Sequence, residues 1–557
     1  MRNAGRLLLP IGTTNYKKIC DNYYYVDKTL MIKDILDEGT EISLFTRPRR
    51  FGKTLNMDML RTFFEKQEED TSRYFTDKKI WQQGEAYTKH QGKYPVIYLS
   101  LKDANKFTWP DLYARLIETI RDEFFRHSEL NDSPKISNPE FYKKIIAGQA
   151  TEAEYSISIL RLSRMLREHY GQSVILIIDE YDTPIQAGYI NGFYNEAIQF
   201  IRDLFSSALK DNDNLAFGFL TGILRVAKES IFSGLNNIYV YSVLDDKFSD
   251  YFGFTDMEVK QLVHYYALDD KLAEIKEWYD GYRFGEVEIY NPWSVLSYLK
   301  NGCKAIPYWV QTSSNSTINT ILRNLDGETY QKLKDIINGK AISSIVSTNV
   351  IYPELKDRSA NIFGFLLMTG YLKSSRTNFT MRGNILCELC IPNKEIENVY
   401  YNEILSQLAD GVSINTTNVL SEALLHKDDV LLKQSLNKFL LETISFYDTL
   451  NENYYHGLLL GMTAIFAHDY YIYSNRESGL GRYDIMLVPK QAGLPGIVIE
   501  VKSTDKSSSA SLKALASRAL AQINTNKYDA ELVKQGVKLI YKYGIAFSGK
   551  QAEIMTN

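Results

Sequence analysis

Residues 41–54 read EISLFTRPRRFGKT and set the architecture predicted for the first half of the chain. The opening apolar run, Ile42–Thr46, predicts a short strand, and a helical run begins directly after Thr54. A loop that ends in Gly52-Lys53-Thr54 between a strand and a helix is the setting of a phosphate-binding loop. Free amides at the helix N-terminus face an anion, Lys53 can neutralise the phosphates, and Thr54 can hold Mg²⁺. We therefore predict that Gly52, Lys53 and Thr54 bind the phosphates of a nucleotide; the alternative is a Gly-Lys-Thr triplet that occurs by chance.

This loop departs from the usual G-x-x-x-x-G-K-[ST] pattern at one position, because Arg47 stands at the first glycine. The substitution leaves hydrolysis of the nucleotide, as opposed to its binding, an open question. Arg49 and Arg50 follow, and the position of the basic run beside Gly-Lys-Thr favours contact with phosphate or with an acid of another domain.

A later strand carries the acids that a nucleotide site needs. Residues 174–182 read VILIIDEYD, an uninterrupted apolar run typical of a strand buried on both faces, followed by Asp179 and Glu180. A carboxylate at the tip of such a strand can hold Mg²⁺, and its neighbour can polarise an attacking water. The alternative is an acidic cap on a strand end, which the Gly-Lys-Thr triplet makes the weaker interpretation.

Two further residues are candidates for sensing the nucleotide. Thr221 ends the predicted strand Leu215–Thr221 and could contact the γ-phosphate, and Arg225 follows as a candidate charge stabiliser, predicted one helical turn later. Arg225 could act within the chain or on a neighbouring copy, so a homo-oligomer is left open. Ordinary loop roles for both residues are equally compatible with the sequence.

The whole chain is predicted to have three parts. Alternating β-rich and amphipathic stretches predict a parallel α/β sheet with helices over residues 1–295, which the resemblance described below identifies as an ASCE-type P-loop domain. Helical periodicity predicts a mainly helical connecting domain over 296–440, and 441–557 are predicted as an α/β unit. The predicted strands are Ile42–Thr46, Pro95–Leu101, Val174–Ile178, Leu215–Thr221, Tyr470–Ser474, Tyr483–Val488 and Gly496–Val501. In the last unit the predicted helices are Glu452–Ala467 and Ser509–Asn524.

One strand of the last unit places an acid and an amine on one face. Residues 496–502 read GIVIEVK, and alternate residues of a strand point the same way, so Glu500 and Lys502 lie together. This pair is costly on an otherwise apolar strand unless it has a role. Asp484, on the preceding strand, can meet Glu500 across the hairpin, and two carboxylates suit Mg²⁺ or Mn²⁺. The lysine can then position or deprotonate water, or neutralise the phosphate.

The alternative to this metal site is a surface Glu–Lys pair on an edge strand. Flanking helices add candidates for the site: Glu452 could complete the metal shell, and Gln522 and Tyr528 could reach the substrate. Glu452 is equally compatible with a helix-start acid favoured by the macrodipole. For His456, one turn beyond Glu452, a structural role is the favoured interpretation.

These segments resemble a known family. Residues from about Leu9 to Trp293 are similar to the AAA-ATPase-like domain of many bacterial proteins, through LPIGTTNY, YYYVDKTLMI, TRPRRFGKTLNMDML, IIDEYDTPI, TGILRVAKESIFSGLNN, FGFTDMEV and WYDGYRFG. Residues from about Tyr454 to Tyr528 resemble the PD-(D/E)xK nuclease domain that usually follows it, through YYHGLLLGM, SNRESGLGRYDIML, IVIEVK and ALAQI.

The resemblance implies an ATP-binding module coupled to a metal-dependent nuclease. The nucleotide roles it implies fall on Lys53, Thr54, Asp179 and Glu180. The cleavage roles it implies fall on Asp484, Glu500 and Lys502. It also implies that Asp27 or Lys28 contacts the nucleotide base, and that arginine at position 47 is usual in the family. Similar ATPase–nuclease fusions often belong to defence or mobile elements.

We therefore expect a nucleotide-regulated, Mg²⁺-dependent nuclease that cleaves phosphodiester bonds in DNA or RNA. Two other classes stay open: an ATP-binding switch or scaffold with an inactive nuclease domain, and a DNA-stimulated ATPase or translocase. A formal charge of −4 over 557 residues gives no global footprint for nucleic acid, although a local basic groove is compatible with it.

Amino-acid composition and apolar runs indicate where in the cell the protein acts. Four cysteines are too few for a disulfide framework, and Cys387-Glu388-Leu389-Cys390 lacks the second pair that a zinc site needs. No apolar run reaches the roughly 18 residues of a membrane span, and the first residues do not resemble a signal peptide. We expect a soluble cytoplasmic protein that does not act at a membrane.

Overall fold

The computed structural model describes most of the chain, which divides into two compact units, Met1–Glu397 and Asn398–Asn557. The described residues are 6–226, 237–309, 329, 332, 333, 335, 336, 339–350, 352–356, 359–400, 414–443, 452–463, 466, 469–479, 481–491, 493–504 and 509–557. The boundaries predicted at 295 and 440 stay predictions, and the division by contacts falls after Glu397.

A parallel five-stranded sheet forms the centre of the first unit. Its strands are β1 (Ile42–Thr46), β2 (Val96–Ser100), β3 (Val174–Asp179), β4 (Leu215–Gly222) and, after the two-residue strand β5 (Arg225–Val226), β6 (Ile238–Tyr241). The order is β2-β3-β4-β1-β6, so β4 lies between the strand of the Gly-Lys-Thr loop and the strand of Asp179. The predicted P-loop α/β fold is confirmed, because all strands of this sheet pair in parallel and the Gly-Lys-Thr loop joins β1 to the Lys53–Phe64 helix. Strands β1 and β3 are buried along their whole length, as expected for a sheet covered on both faces.

Helices pack on this sheet and on the smaller elements of the first unit. Their bounds are Tyr16–Asn22, Leu30–Glu38, Lys53–Phe64, Glu85–Thr88, Trp109–Arg126, Pro139–Ile146, Glu152–Ser156, Ser158–Tyr170, Thr183–Asn191, Tyr194–Leu209, Asp256–Tyr266, Leu272–Tyr279, Pro292–Lys300 and Ser359–Thr369. Short 3₁₀ turns cover Thr71–Tyr74, Trp81–Gln83, Ser128–Leu130, Asp269–Lys271 and Tyr352–Lys356.

The segment predicted as mainly helical also contains strands. After the hairpin β7 (Tyr282–Phe284) and β8 (Val287–Ile289) come β9 (Ile342–Val346), β10 (Asn349–Val350), β11 (Lys373–Phe379) and β12 (Ile385–Cys390). An antiparallel sheet has the order β11-β12-β9, and β10 pairs with β5. Helical periodicity did not predict these strands, because β11 reads KSSRTNF and lacks the apolar alternation by which strands are detected.

The second unit is built on a five-stranded mixed sheet of β13 (Tyr470–Ser478), β14 (Gly481–Pro489), β15 (Gly496–Ser503), β16 (Ile540–Ser548) and β17 (Gln551–Thr556). Its helices are Ile414–Leu425, Asp429–Thr443, Glu452–Thr463, Ser509–Thr525 and Ala530–Lys534. The three predicted strands and two predicted helices are present. The antiparallel β14–β15 hairpin is followed by the Ser509–Thr525 helix, which crosses over to β16, parallel to β15.

Within the part of the chain that the structure describes, no helix has the length and apolar character needed to cross a membrane.

Candidate active site

The Gly-Lys-Thr loop of the first unit ends at a helix N-terminus. Gly52 has a φ of +84°, in the left-handed region that favours glycine, and the Lys53–Phe64 helix begins directly after it. A Cβ atom at Gly52 would meet no atom within 4 Å, so the space beside the helix start is open. The loop therefore keeps the free amides and the room that an anion needs.

Lys53 is buried at the root of this loop. Its ammonium donates to the carbonyl oxygens of Arg47 at 3.0 Å and Pro48 at 2.9 Å. Burial lowers the pKa of Lys53, although the nearby Glu180, Asp182 and Asp179 oppose that shift. An incoming phosphate would offer this ammonium a charged partner in place of two neutral carbonyls.

Asp179 joins three chain segments at the carboxyl edge of the sheet. Its Oδ2 accepts a hydrogen bond from the Thr54 hydroxyl at 2.8 Å, and its Oδ1 accepts one from the Thr221 hydroxyl at 2.6 Å. The parallel pairing of β3 with β4, in which Ile178 lies beside Leu220, brings these residues together. Burial raises the pKa of Asp179, and the two hydroxyl donors oppose that rise. The structure thus brings together three of the residues that the sequence assigned to nucleotide and Mg²⁺.

Glu180 and Asp182 complete this edge. Glu180 has a φ of +56°, and its backbone N–H donates to the Thr221 hydroxyl at 3.2 Å. The buried Asp182, which sequence reasoning passed over, accepts hydrogen bonds from the backbone N–H groups of Ile223 at 2.8 Å and Leu224 at 3.0 Å. Asp182 therefore fixes the loop that follows β4. The second aspartate of Asp-Glu-Tyr-Asp was the available signal for it.

Arg225 is not part of this hydrogen-bonded cluster among the described residues. It belongs to β5, which pairs with β10, and not to a helical turn as the sequence analysis assumed. The neighbouring Tyr181 holds this segment, because its hydroxyl donates to Leu224 O at 2.6 Å and accepts from Val226 N–H at 3.0 Å. No hydrogen bond or ion pair between described residues joins Arg225 to Thr54 or Asp179, so its charge-stabilising role stays a prediction.

The expected phosphate contact of the basic run is wrong for Arg47. Its side chain is fully buried and donates to the carbonyl oxygens of Thr46, Tyr241 and Phe248 at 2.9, 2.7 and 3.2 Å. Burial lowers the pKa of Arg47 to about 9. Arg49 instead donates to Gln186 at 2.9 Å. At the position of the usual first glycine, the arginine therefore points into the protein and serves as a core residue.

The residues implied to contact the nucleotide base also have structural partners. The Lys28 ammonium donates to Glu258 at 2.6 Å and to the carbonyl oxygen of Asp250 at 2.6 Å. Asp27 accepts hydrogen bonds from Thr29 and from the Lys79 backbone N–H. Both side chains thus stabilise the turn before the Leu30–Glu38 helix.

In the second unit, Asp484, Glu500 and Lys502 converge. The register Ile485–Ile499 sets Asp484 opposite Glu500 across the β14–β15 hairpin. The Lys502 ammonium lies 3.1 Å from Oε1 of Glu500, and Asp484 Oδ2 accepts from the Val501 backbone N–H at 2.7 Å. The expected convergence of two acids and an amine is therefore present in the structure.

The surroundings of this cluster disfavour the charged forms of its two carboxyl groups. Glu500 is 1% exposed, and its Oε2 has no hydrogen-bond partner among the described residues. Burial, followed by the charge of Asp484, raises the pKa of Glu500 to about 7. Burial also raises the pKa of Asp484. For Lys502, burial disfavours the charged form, but Glu500 and Glu452 outweigh it and raise the pKa of the ammonium.

The flanking candidates fall into two groups. Glu452 begins the Glu452–Thr463 helix and lies 3.4 Å from the Lys502 ammonium, so it borders the cluster. His456 Nε2 lies 3.0 Å from the carbonyl oxygen of Asp484, and since a carbonyl only accepts, Nε2–H donates. Gln522 instead donates to the Tyr528 hydroxyl at 3.1 Å, and no hydrogen bond between described residues joins it to Glu500.

This donor set fits a hard divalent cation. Two facing carboxylates offer oxygen ligands, and a buried carboxylate oxygen without a donor is the group that a cation would satisfy. Bound Mg²⁺ or Mn²⁺ would also supply a positive partner for the two buried carboxylates, whose pKa values burial raises. In the first unit, Thr54 and Asp179 offer a comparable oxygen pair beside the phosphate-binding loop.

Comparisons with known proteins find matches to two separate parts of the chain. Residues 10–232 match the family model described as a predicted AAA-ATPase, and residues 450–557 match that of the PD-(D/E)XK nuclease superfamily. A relative from Azotobacter chroococcum mcd 1, described as an uncharacterized protein in the vnfD 5′ region, is 26% identical over 86% of this chain and 81% of its own length.

A solved structure of Drosophila ORC bound to AT-rich DNA and Cdc6 aligns over 70% of this chain and 91% of that one, with 10% identity and a TM-score of 0.19. A likeness with so low a TM-score carries no argument. The two matched ranges coincide with the two clusters, the first around Lys53 and the second around Glu500. The chain is therefore a fusion of an AAA-ATPase-like domain with a C-terminal domain of the PD-(D/E)XK nuclease superfamily.

Proposed function

We propose that this protein is a divalent-metal-dependent nuclease that hydrolyses phosphodiester bonds, and that the AAA-ATPase-like domain binds ATP and regulates it. In this proposal Asp484 and Glu500 hold Mg²⁺ or Mn²⁺, and Lys502 is the catalytic cation. Glu452 and Gln522 are proposed to support the site, Glu452 through Lys502 and Gln522 on the substrate side.

One observation carries the nuclease half. The buried Oε2 of Glu500 lacks a donor, on a carboxylate that faces Asp484 and already pairs with Lys502 through Oε1. Burying such a set costs stability, so a chain that keeps it is expected to use it. A divalent cation bound there would supply positive charge and a water of lowered pKa.

The chain's own groups have separable roles in this proposal. Lys502 stays protonated because its neighbours raise its pKa, so it would bind a phosphate oxygen rather than remove a proton from water. The Val501 backbone N–H orients Asp484 through a 2.7 Å hydrogen bond, and His456 Nε2–H holds the same residue by its carbonyl oxygen. These contacts keep the carboxylate of Asp484 directed at Glu500.

The nucleotide half rests on the first unit. Lys53 and the loop amides would bind the phosphates of ATP, and Thr54 with Asp179 would hold its Mg²⁺, while Thr221 and Glu180 face the same edge. Regulation of the nuclease by nucleotide is proposed from the fusion of the two domains alone. A role in defence or mobile-element biology stays a prediction from the family resemblance.

Cleavage assays test the proposal. Purified protein is incubated with DNA and with RNA in Mg²⁺, with and without ATP, beside Glu500→Ala, Lys502→Ala and the control Lys513→Ala, an exposed residue of the Ser509–Thr525 helix. We expect cleavage by wild type and control that falls at least about 100-fold in the two site variants. Equal cleavage by all four proteins would reject the assignment. ATP binding with no metal-dependent cleavage would favour a switch or scaffold.

A further inference from the structure

Arg49 makes a contact across the carboxyl edge of the parallel sheet. It lies in the loop after β1, and its guanidinium donates at 2.9 Å to the side-chain oxygen of Gln186, in the Thr183–Asn191 helix that follows β3. Strand β4 lies between β1 and β3. Because neighbouring strands are about 4.8 Å apart, β1 and β3 are separated by about 10 Å. The loop and the side chain of Arg49 together therefore bridge the end of β4.

This bridge lies at the cluster proposed to bind the nucleotide. The end of β4 carries Thr221, whose hydroxyl donates to Asp179 at 2.6 Å, and Asp179 also accepts from the Thr54 hydroxyl. Burial lowers the pKa of Lys53, and the positive charge of Arg49 adds to that shift, so the two cations are close enough to interact. Arg49 is therefore a second cation beside the phosphate-binding loop.

The hydrogen-bond partner of Arg49 is one that an anion can replace. Gln186 offers a neutral amide oxygen, and no ion pair between described residues involves Arg49. The Arg49 side chain is half-buried, so few waters are available to satisfy its other donors. Phosphate oxygens accept charge-assisted, often bidentate hydrogen bonds from a guanidinium, and these are stronger than a bond to a neutral amide.

The neighbouring groups indicate which phosphate would lie here. In a phosphate-binding loop the backbone amides bind the inner phosphates, and the lysine reaches the outer ones. Glu180, as the acid proposed to polarise an attacking water, would lie beside the terminal phosphate. Glu180 comes three residues before the helix that carries Gln186, and its backbone N–H donates to the Thr221 hydroxyl at 3.2 Å. The bond from Arg49 to that helix thus places Arg49 on the side of the terminal phosphate.

Arg50 is the other candidate for this role. Burial lowers the pKa of Arg50, and the charge of Glu180 opposes that shift, so Arg50 also lies near this edge. Its guanidinium, however, covers the ring of Trp293, 4.4 Å from the ring centroid. This contact favours a structural role for Arg50, and variants of the two arginines separate the possibilities.

We propose that Arg49 binds the terminal phosphate of a nucleoside triphosphate, so that the first unit distinguishes a triphosphate from a diphosphate. When the triphosphate binds, the guanidinium exchanges its hydrogen bond with Gln186 for bonds with phosphate oxygens. The contact between the loop and the Thr183–Asn191 helix then depends on which nucleotide is bound. This inference rests on the proposed nucleotide binding and is independent of cleavage by the second unit.

Nucleotide affinities of the full chain test the proposal. The probes are AMP-PNP, a triphosphate that is not hydrolysed, and ADP, each with a fluorescent methylanthraniloyl label and Mg²⁺. The variants are Arg49→Ala, Arg49→Lys and Gln186→Glu, and Arg50→Ala is the matched control from the same loop. Thermal unfolding shows whether each variant is folded, and Arg49→Lys and Gln186→Glu keep the test valid if Arg49→Ala does not fold.

We expect Arg49→Ala to weaken AMP-PNP binding at least about tenfold and ADP binding less than about twofold, because the lost bonds are to the terminal phosphate. Gln186→Glu should also weaken AMP-PNP binding more than ADP binding, since an acid at this position would compete with phosphate for Arg49. Arg49→Lys should keep part of the preference for the triphosphate, because lysine keeps the charge but not the planar fork. Arg50→Ala should keep the wild-type ratio of the two affinities.

Three results would overturn this inference: a wild-type protein that binds AMP-PNP and ADP equally, an unchanged affinity ratio in folded Arg49 and Gln186 variants, or a ratio lowered by Arg50→Ala and not by Arg49→Ala. An unchanged ratio with reduced stability would show that the Arg49–Gln186 bond is only structural. In each case nucleotide binding itself would stand. A wild-type protein that binds neither probe would instead reject the nucleotide half of the proposed function, and this inference with it.

Discussion

The ammonium of Lys502 lies 3.1 Å from Oε1 of Glu500, while Oε2 of the same carboxylate is buried without a hydrogen-bond donor. Asp484 faces this carboxylate across the hairpin, and its charge adds to burial in raising the pKa of Glu500 to about 7. This arrangement of charges is thus unfavourable unless a cation is bound, and binding and unfolding experiments can measure its consequences.

The affinity for metal should depend on pH. Because Glu500 must lose its proton before it binds a cation, and its pKa is about 7, Mn²⁺ should bind about tenfold more tightly at pH 8 than at pH 6. Isothermal titration calorimetry measures this ratio. Glu500→Gln should bind weakly and with little pH dependence, and a wild-type affinity that is the same at both pH values would contradict the assignment of Glu500 as a ligand.

The stability of the metal-free protein should change with pH in the opposite sense. A carboxyl whose folded-state pKa lies above its unfolded value binds its proton more tightly when folded, so its contribution falls as pH rises from about 4.5 to about 7. Glu500→Gln removes this loss and should stabilise the metal-free protein by about 1–3 kcal/mol at pH 8, with little difference at pH 5. Thermal unfolding in EDTA checks it, and a variant less stable than wild type at pH 8 would count against the pKa shift.

Nucleotide binding should depend on the Thr54–Asp179 contact and on Lys53. We expect Lys53→Ala and Asp179→Asn to weaken binding of a fluorescent ATP analogue with Mg²⁺ by at least about tenfold, since each loses a charged partner of the phosphates or of the cation. Lys66→Ala, an exposed position two residues after the same helix, is the matched control. Unfolding curves of each variant show whether it is still folded. Binding of the ATP analogue by Lys53→Ala with wild-type affinity would contradict the assignment of a nucleotide site to this loop.

Replacing Arg47 with the glycine of the usual loop pattern should damage the fold. The substitution leaves the carbonyl oxygens of Tyr241 and Phe248 without their donor and opens a cavity beside Phe252 and Phe284, whose rings the guanidinium covers. We expect Arg47→Gly to cost about 3–5 kcal/mol of unfolding free energy. Arg49→Gly, at a half-buried position of the same loop, should cost much less. A stable Arg47→Gly protein would show that the arginine is not a core residue.

Sequence patterns predicted those parts of the fold whose strands are uninterrupted runs of apolar residues. Strands β1, β3 and β15 are largely apolar runs; Asp179 ends β3, and Glu500 lies within β15. The polar strand β11 was missed, since it is stabilised by pairing with β12 rather than by an apolar face of its own. Strands β16 and β17 were not predicted either.

The sequence did not predict the direction in which some side chains near the site point. An arginine in a loop next to Gly-Lys-Thr suggests a contact with phosphate. The residues around Arg47 do not indicate that its hydrogen-bond acceptors are the carbonyl oxygens of Tyr241 and Phe248, about 200 positions later. The same holds for Asp182, whose partners are the backbone N–H groups after β4. Such contacts follow from strand order, which a single sequence does not specify.

The central claim is that Asp484 and Glu500 share a divalent cation, and anomalous diffraction from Mn²⁺-soaked crystals tests it most directly. We predict an anomalous peak within about 2.2 Å of one carboxylate oxygen from each residue, which is abolished in crystals of Glu500→Gln. A peak bound elsewhere in the second unit, or a wild-type site that stays empty at saturating Mn²⁺ and pH 8, would contradict the account.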